Sequence, residues 1–273
     1  MKRTIEYSFT YLFLIFFAVL SLFPFYWMIV MALKDRKQAF VYPPEWLPTS
    51  FIWDNFVRVW NNVDFGMYLA NTAFVTVVLV VGQLAFCAMA AYGFARMEFP
   101  GRDLIFVLFL GSMMIPQIVT MIPLYILIKE MGWIDTYKAV ILPSVFGTAF
   151  GVFFLRQFFQ SIPKDYEDAA RIDGAGVMRT FTTIIMPMAN SAMVTLGVLT
   201  FVGAWNNFQW PLIVLNTPEK QMISVALANL QGQFTSDWTG MMAGALLTLL
   251  PILIIFVLAQ RYFVESIQMS GFK

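Results

Sequence analysis

Histidine is absent from this 273-residue chain, and cysteine occurs once, as Cys87 in the middle of an apolar run. A disulfide framework needs a second thiol and the usual His/Cys zinc sets need several ligands, so neither is available. Charge is scarce too. Asp, Glu, Lys and Arg make up 12% of the residues and balance to +1, which gives no reason to expect nucleic acid as a partner. No G-x-x-x-x-G-K-[ST] loop occurs, so the chain lacks the phosphate cradle of a P-loop ATPase. With no histidine, no usable thiol and no paired carboxylates in its apolar parts, a membrane enzyme has no candidate catalyst.

Apolar residues fill the space that charge leaves. They make up 60% of the chain, and mean hydropathy is +0.73, more apolar surface than one water-soluble core absorbs. A helix crossing the hydrocarbon needs about 20 mostly apolar residues. Charges are missing from Tyr7 to Leu33, Phe65 to Ala95, Leu104 to Ile128, Ala139 to Leu155, Thr180 to Pro218 and Trp238 to Gln260. These runs predict an all-α membrane protein, a single domain over 1–273, with six spans at about 9–33, 68–95, 104–128, 139–160, 185–215 and 240–260. The fourth continues past Arg156, which can snorkel to the interface. Pro187 and Pro211 predict kinked or interfacial ends for the fifth. The runs do not alternate as barrel strands do, and Phe9 to Leu33 is too long for a signal peptide's apolar core.

Six spans place both termini on one side. With cytoplasmic termini the basic residues divide ten inside to seven outside, a weak positive-inside bias. Lys34, Arg36 and Lys37, directly after the first span, then fall on the outer side against the rule. Beyond them, Tyr42-Pro43-Pro44 sets an extended turn, and Phe51 to Trp60 has the pattern of a short amphipathic helix, packing on neighbouring spans or presenting a surface. Only Gln157–Thr183 and Asn216–Gly240 are connections long enough to do more than join spans, and they lie on opposite faces.

The first of these is the more informative. Pro163 suits a helix start, Asp165, Glu167 and Asp168 place negative charge where the helix dipole favours it, and Gly174 is a stop. Tyr166, Ala169, Ala170 and Asp173 share a face by spacing, narrowed by the two alanines so that it could enter a groove on another protein. A second helix should follow from about Gly176, with Phe181, Ile184 and Ile185 turned inward. From these residues alone, a solvated loop between spans and a docking helix both remain open.

Asp168-Ala-Ala, three residues, Gly174, nine residues and Ile184-Ile-Met-Pro187 resemble the E-A-A, G, I-x-L-P signature in the cytoplasmic loop of ABC importer permeases. The fuller Ala-Ala-Arg-Ile-Asp-Gly-Ala resembles the sugar-permease branch, of the maltose-transporter type. Tyr92-Gly-Phe-Ala-Arg-Met-Glu-Phe-Pro-Gly101, Met114-Ile-Pro116, Ile141-Leu-Pro143, Ala204-Trp-Asn-Asn207, Leu230-Gln-Gly-Gln233 and Gln260-Arg-Tyr-Phe-Val264 carry the likeness through most of the chain. Asp168 replaces the usual Glu, Met186 replaces Leu, and the tail Glu265–Lys273 differs from the branch's small-residue ending.

The resemblance implies a type I importer permease fold in the inner membrane with a coupling helix in the 161–187 loop. A second homologous permease, two ATP-binding subunits holding ATP and Mg, an extracytoplasmic solute-binding protein and a carbohydrate would be its partners. No cofactor would be held by this chain. Asp168 would pair with a basic residue of the ATPase, Ala169 and Ala170 would seat the helix beside Arg171 and Asp173, and Gly174 would reverse the chain ahead of Ile184 and Pro187. Asn216–Gly240 would reach toward the solute-binding protein, a simple lid being the competing reading.

Polar groups in a membrane are expensive. Asn206 and Asn207 beside Trp205 and Trp210, with Asn71 and Gln117, therefore read either as sugar contacts in a translocation path or as helix-packing groups. An ion-coupled secondary transporter is the rival function, but the six runs carry no ionisable midplane group for proton coupling.

Overall fold

The computed structural model describes the backbone of residues 2–62, 64–233 and 237–270, and the side chains of these except 2–6, 8, 62, 230–233 and 263–270. Among the described residues there are helices and no strands. They are α1 Lys2–Ala32, α2 Asp54–Asn62, α3 Phe65–Arg96, α4 Arg102–Gly111, α5 Gln117–Glu130, α6 Tyr137–Val145, α7 Ala149–Ser161, α8 Asp165–Ile172, α9 Val177–Thr180, α10 Met186–Met188, α11 Asn190–Trp205, α12 Gln209–Val214, α13 Ile223–Gln233 and α14 Trp238–Ser270. The side chains of the unusual tail and of Leu230–Gln233 lie outside the described residues, as do residues 271–273 altogether.

Phe9–Ala32, Phe65–Arg96, Tyr137–Ser161 and Trp238–Tyr262 are long and apolar enough to cross a membrane, and two bent pairs make up to six. The first bend, 99° between Arg102–Met114 and Gln117–Glu130, breaks the third expected span. Pro116 is its cause: the residue before a proline is pushed out of the α region, and Ile115 sits at φ −82°, ψ 115°. The second, 78° between Val177–Met188 and Asn190–Trp205, falls where Pro187 withholds an amide from the ladder. A π-helical turn, Phe181–Ile185, precedes it.

The chain falls into two compact units, residues 1–67 with 226–250 and residues 68–225 with 251–273. In the first, α1 leaves Phe9 to Phe25 largely exposed, as a helix facing lipid must. Lys34, expected to be a misplaced topology signal, is instead a structural residue. It is 1% exposed, donates to the Glu45 carbonyl at 2.6 Å, and lies 5.2 Å from the Trp27 ring. Asn55 caps the end of α1 by donating to the Ala32 and Lys34 carbonyls, and the Ile52 amide bonds Leu33 O. The buried side of α2 is therefore Asn55 and Val59, while Trp53, Val57 and Trp60 stay exposed.

Asp237 collects Arg36 at 2.6 Å and Arg58 at 3.0 Å. Burial opposes its ionisation, but the Gly240 amide, the Thr239 hydroxyl and the two guanidinium groups outweigh it and hold the carboxyl below the usual range.

The second unit has two apolar clusters. One gathers Cys87, Ala88, Ala91, Tyr92, Leu155, Phe159, Phe181, Ile185 and Leu196, and the other gathers Val75, Leu79, Ile128, Trp210, Val214 and Met222. Glycine lets α3 press against the α6–α7 bend: a Cβ on Gly82 would lie 2.2 Å from a Val145 methyl, and one on Gly151 would lie 2.7 Å from Cys87 Sγ. Thr148 caps α7 by accepting from the Gly151 amide, which starts a new helix right after Gly147 at φ +105°.

Candidate functional site

α7 stops at Ser161, and Ile162-Pro163 turns the chain before α8 begins. The first turns of α8 carry Asp165, Glu167 and Asp168, and its last turn carries Arg171, the charge order the helix dipole favours. It ends in a Schellman motif: the Ala175 amide bonds Ala170 O at 2.9 Å and the Gly174 amide bonds Arg171 O at 3.0 Å. Gly174 sits at φ +81°, a conformation only glycine adopts without penalty.

Two residues turn α8 toward its own chain, Glu167 and Ala170. The face expected from spacing is thereby corrected. Ala170, three residues beyond Glu167, is buried, so it does not belong to the outward surface. That surface carries Tyr166, Asp168, Ala169, Ile172 and Asp173, with the Ile172 side chain 88% exposed.

Glu167 is the buried member of this helix that spacing alone missed. Its carboxylate meets Arg96 Nε at 2.6 Å, with the two side chains 8% and 7% exposed. Arg96 Nη2 also donates to Ile162 O at 2.6 Å, and the Tyr92 hydroxyl donates to Glu167 at 3.4 Å. The signal available was Arg96 closing the second apolar run and Glu167 three residues before Ala170. A cleft of about 550 Å³ opens beside the pair, lined by Tyr92, Arg96, Lys164, Glu167, Asp168 and Arg171 among others. Asp168 and Arg171 touch only loosely at 3.7 Å and are both exposed, so their charges remain open to a partner.

Past Gly174 the second half of the loop packs inward. Phe181 and Ile185 are buried with Ile184 against them, and Pro187 is exposed at the 78° bend.

Residues 83–268, which contain α8 and the helices on either side of it, match the family described as the binding-protein-dependent transport system inner membrane component. The chain belongs to this family of transport permeases.

The permease is 34% identical over 265 residues to the probable ABC transporter permease protein YurM of Bacillus subtilis, covering 96% of this chain and 87% of YurM. It is 34% identical to the arabinooligosaccharides transport system permease protein AraQ of Halalkalibacterium halodurans, over 83% of this chain and 81% of AraQ. It is 31% identical to the sn-glycerol-3-phosphate transport system permease protein UgpE of Pectobacterium atrosepticum, over 95% of each. Its fold matches a chain in the crystal structure of a bacterial ABC transporter involved in the import of the acidic polysaccharide alginate. The TM-score is 0.84 at 24% identity, over 96% of this chain and 98% of that one. The fold class is thus an all-helical ABC importer permease.

The permease does not gather its expected path residues into one site. Trp205 is 2% exposed and stacks on Phe201, and Trp210 is buried with its indole N–H donated to Ala139 O at 2.9 Å. For these two the helix-packing alternative is the observed one. Asn71 ties α3 to the Glu219 and Gln221 carbonyls, and the Asn207 carbonyl accepts from Ser224. Asn206 and Gln117 are exposed; Gln117 stands at the start of α5, directly after the Pro116 break.

The other long connection is also more buried than expected. Met222, Ile223 and Val225 are wholly covered, so the start of α13 is a packing segment and not a free surface. Asp135, at φ +60°, clamps the strand of chain before it. It accepts from the Asn216 and Thr217 amides at 2.9 Å each, from the Thr217 hydroxyl, and from Lys220 at 2.9 Å.

Proposed function

We propose that this permease forms half of the translocation path of an ATP-driven carbohydrate importer and docks on an ATP-binding subunit through α8. What carries the reading is a single observation: a helix whose inner side is fixed by a buried ion pair and whose outer side offers Ala169, Asp168 and the exposed Ile172. Small and apolar groups ringed by charge fit a cleft on another protein. ATP and Mg belong to that partner, since no phosphate-binding loop occurs in this chain. A second, related permease would complete the path, and an external solute-binding protein would deliver the substrate.

A carbohydrate or polyol-type substrate is supported by what the relatives' names state, arabinooligosaccharides for one and sn-glycerol-3-phosphate for another. On this reading α8 and both termini face the cytoplasm. The three cations after the first span then fall outside, and two of them have structural duties: Lys34 is buried under Trp27, and Arg36 neutralises Asp237.

The test is to tag the permease, extract it in mild detergent and identify what copurifies by mass spectrometry. A Walker-type ATPase and a second permease are expected. Recovery of the chain alone, from membranes where it is active, would overturn the proposal. Ala169→Asp should insert in the membrane and lose the ATPase.

A further inference from the structure

Arg96 is the last residue of α3, and Glu167 lies 71 residues further on in α8. By covalent connection α8 is joined only to α7 before it and α9 after it. The tie to α3 is made by one guanidinium at two points: Nε to the Glu167 carboxylate and Nη2 to Ile162 O, on the segment leading into α8, each at 2.6 Å. Tyr92, one turn back along α3, adds its hydroxyl to the same carboxylate. The pair is nine-tenths buried, so its attraction is little screened. Beyond it α3 is itself gripped, with Ala91, Ala88 and Cys87 in the same apolar cluster as Leu155 and Phe159 of α7.

We propose that Arg96 and Glu167 form a strut that makes α8 and α3 move as one body, delivering any displacement of α8 straight to a span it is not covalently next to. The inference rests on α8 being the ATPase-docking helix. A pair present only for stability could be replaced by a well-packed apolar pair. The strut proposed here is the ionic tie itself, so it is lost with the charges and returns when they are exchanged.

The experiment uses the whole transporter, with its second permease and ATP-binding subunits, in nanodiscs and in a Cys87→Ala background. Spin labels at Val81→Cys on α3 and Asp165→Cys on α8 report one distance, measured with and without Mg-ATP and vanadate. The unaltered pair should give a single distance that nucleotide does not shift. In the assembled transporter, Glu167→Gln and the double Arg96→Met/Glu167→Leu should each show a distance that shifts or broadens with nucleotide. Arg96→Glu/Glu167→Arg should restore the fixed distance.

A distance that stays fixed in the apolar double variant, or that already shifts with the native pair, overturns the strut. So does a charge swap that assembles but leaves the distance variable. If Glu167→Gln fails to assemble, the apolar pair and the swap still decide. Failure of the native permease to retain any ATP-binding subunit would instead overturn the docking reading on which the strut rests.

Discussion

The two long connections of this permease are built on opposite plans. The α8 connection stands on a buried ion pair and leaves its outer face bare, whereas the connection after α12 buries its apolar residues and is clamped by Asp135 at the surface. On α8 a carboxylate, Glu167, is inside and Ile172 is outside; at the start of α13 the usual order holds, with Met222, Ile223 and Val225 inside. On the docking proposed for α8, its connection needs a rigid foot and an open face, whereas the second connection needs only to be held down.

The comparison is tested most severely by removing the foot. Glu167→Ala leaves the Arg96 charge buried without its carboxylate, and should destabilise the permease by about 3–5 kcal/mol in detergent unfolding. A loss below about 1 kcal/mol would mean that the pair is effectively solvated.

Next comes the pair of alanines. Ala170→Leu pushes into the seat of α8 and should cost about 1–3 kcal/mol by overpacking, while Ala169→Leu, on the open face, should leave stability unchanged within about 0.5 kcal/mol and reduce ATPase copurification. The reverse pattern would place Ala170 on the partner's side.

A smaller effect is expected from acid at the clamp. The Thr217 hydroxyl and amide, Lys220 and the Asn216 amide outweigh desolvation and hold the Asp135 carboxyl well below the usual carboxylate range. A lowered folded pKa gives stability that is full above the unfolded value, about 3.9, and is lost as pH falls through the folded one. The protection of the Asn216 and Thr217 amides, taken relative to the exchange rate of an unstructured chain at the same pH, should accordingly stay high above about pH 4 and fall below it. In Asp135→Asn that protection should be low at neutral pH and should not change with pH. Smallest of all is Arg171→Ala, which removes an exposed pair and should change stability by less than about 0.5 kcal/mol, whatever it does to docking.

The limits of sequence reasoning show at particular residues. The stop at Gly174 was legible because a helix end is a local event, and the structure closes it with two backbone bonds around that glycine. The face of α8 was legible only in part. Spacing placed Ala170 beside Ala169, but which side of a helix turns inward depends on what lies beneath, here Arg96. For Trp210 the sequence leaves sugar contact and helix packing both open, and the bond from its indole to the Ala139 carbonyl, 71 residues away in the chain, makes it a packing group. Lys34 looked like a charge on the wrong side and is a plug at the end of α1. The break at Pro116 had a local signal, the proline itself; its 99° angle had none.

Sequence alone determined that this is a membrane-spanning helical chain, where its apolar runs lie, and that a capped acidic helix interrupts them, because run length, capping and charge order act between near neighbours. Which charges are buried, which alanine faces out and which tryptophans are core emerge only when the chain folds. Those outcomes depend on contacts between residues far apart in the chain, whose strength depends on burial in the folded chain and not on composition.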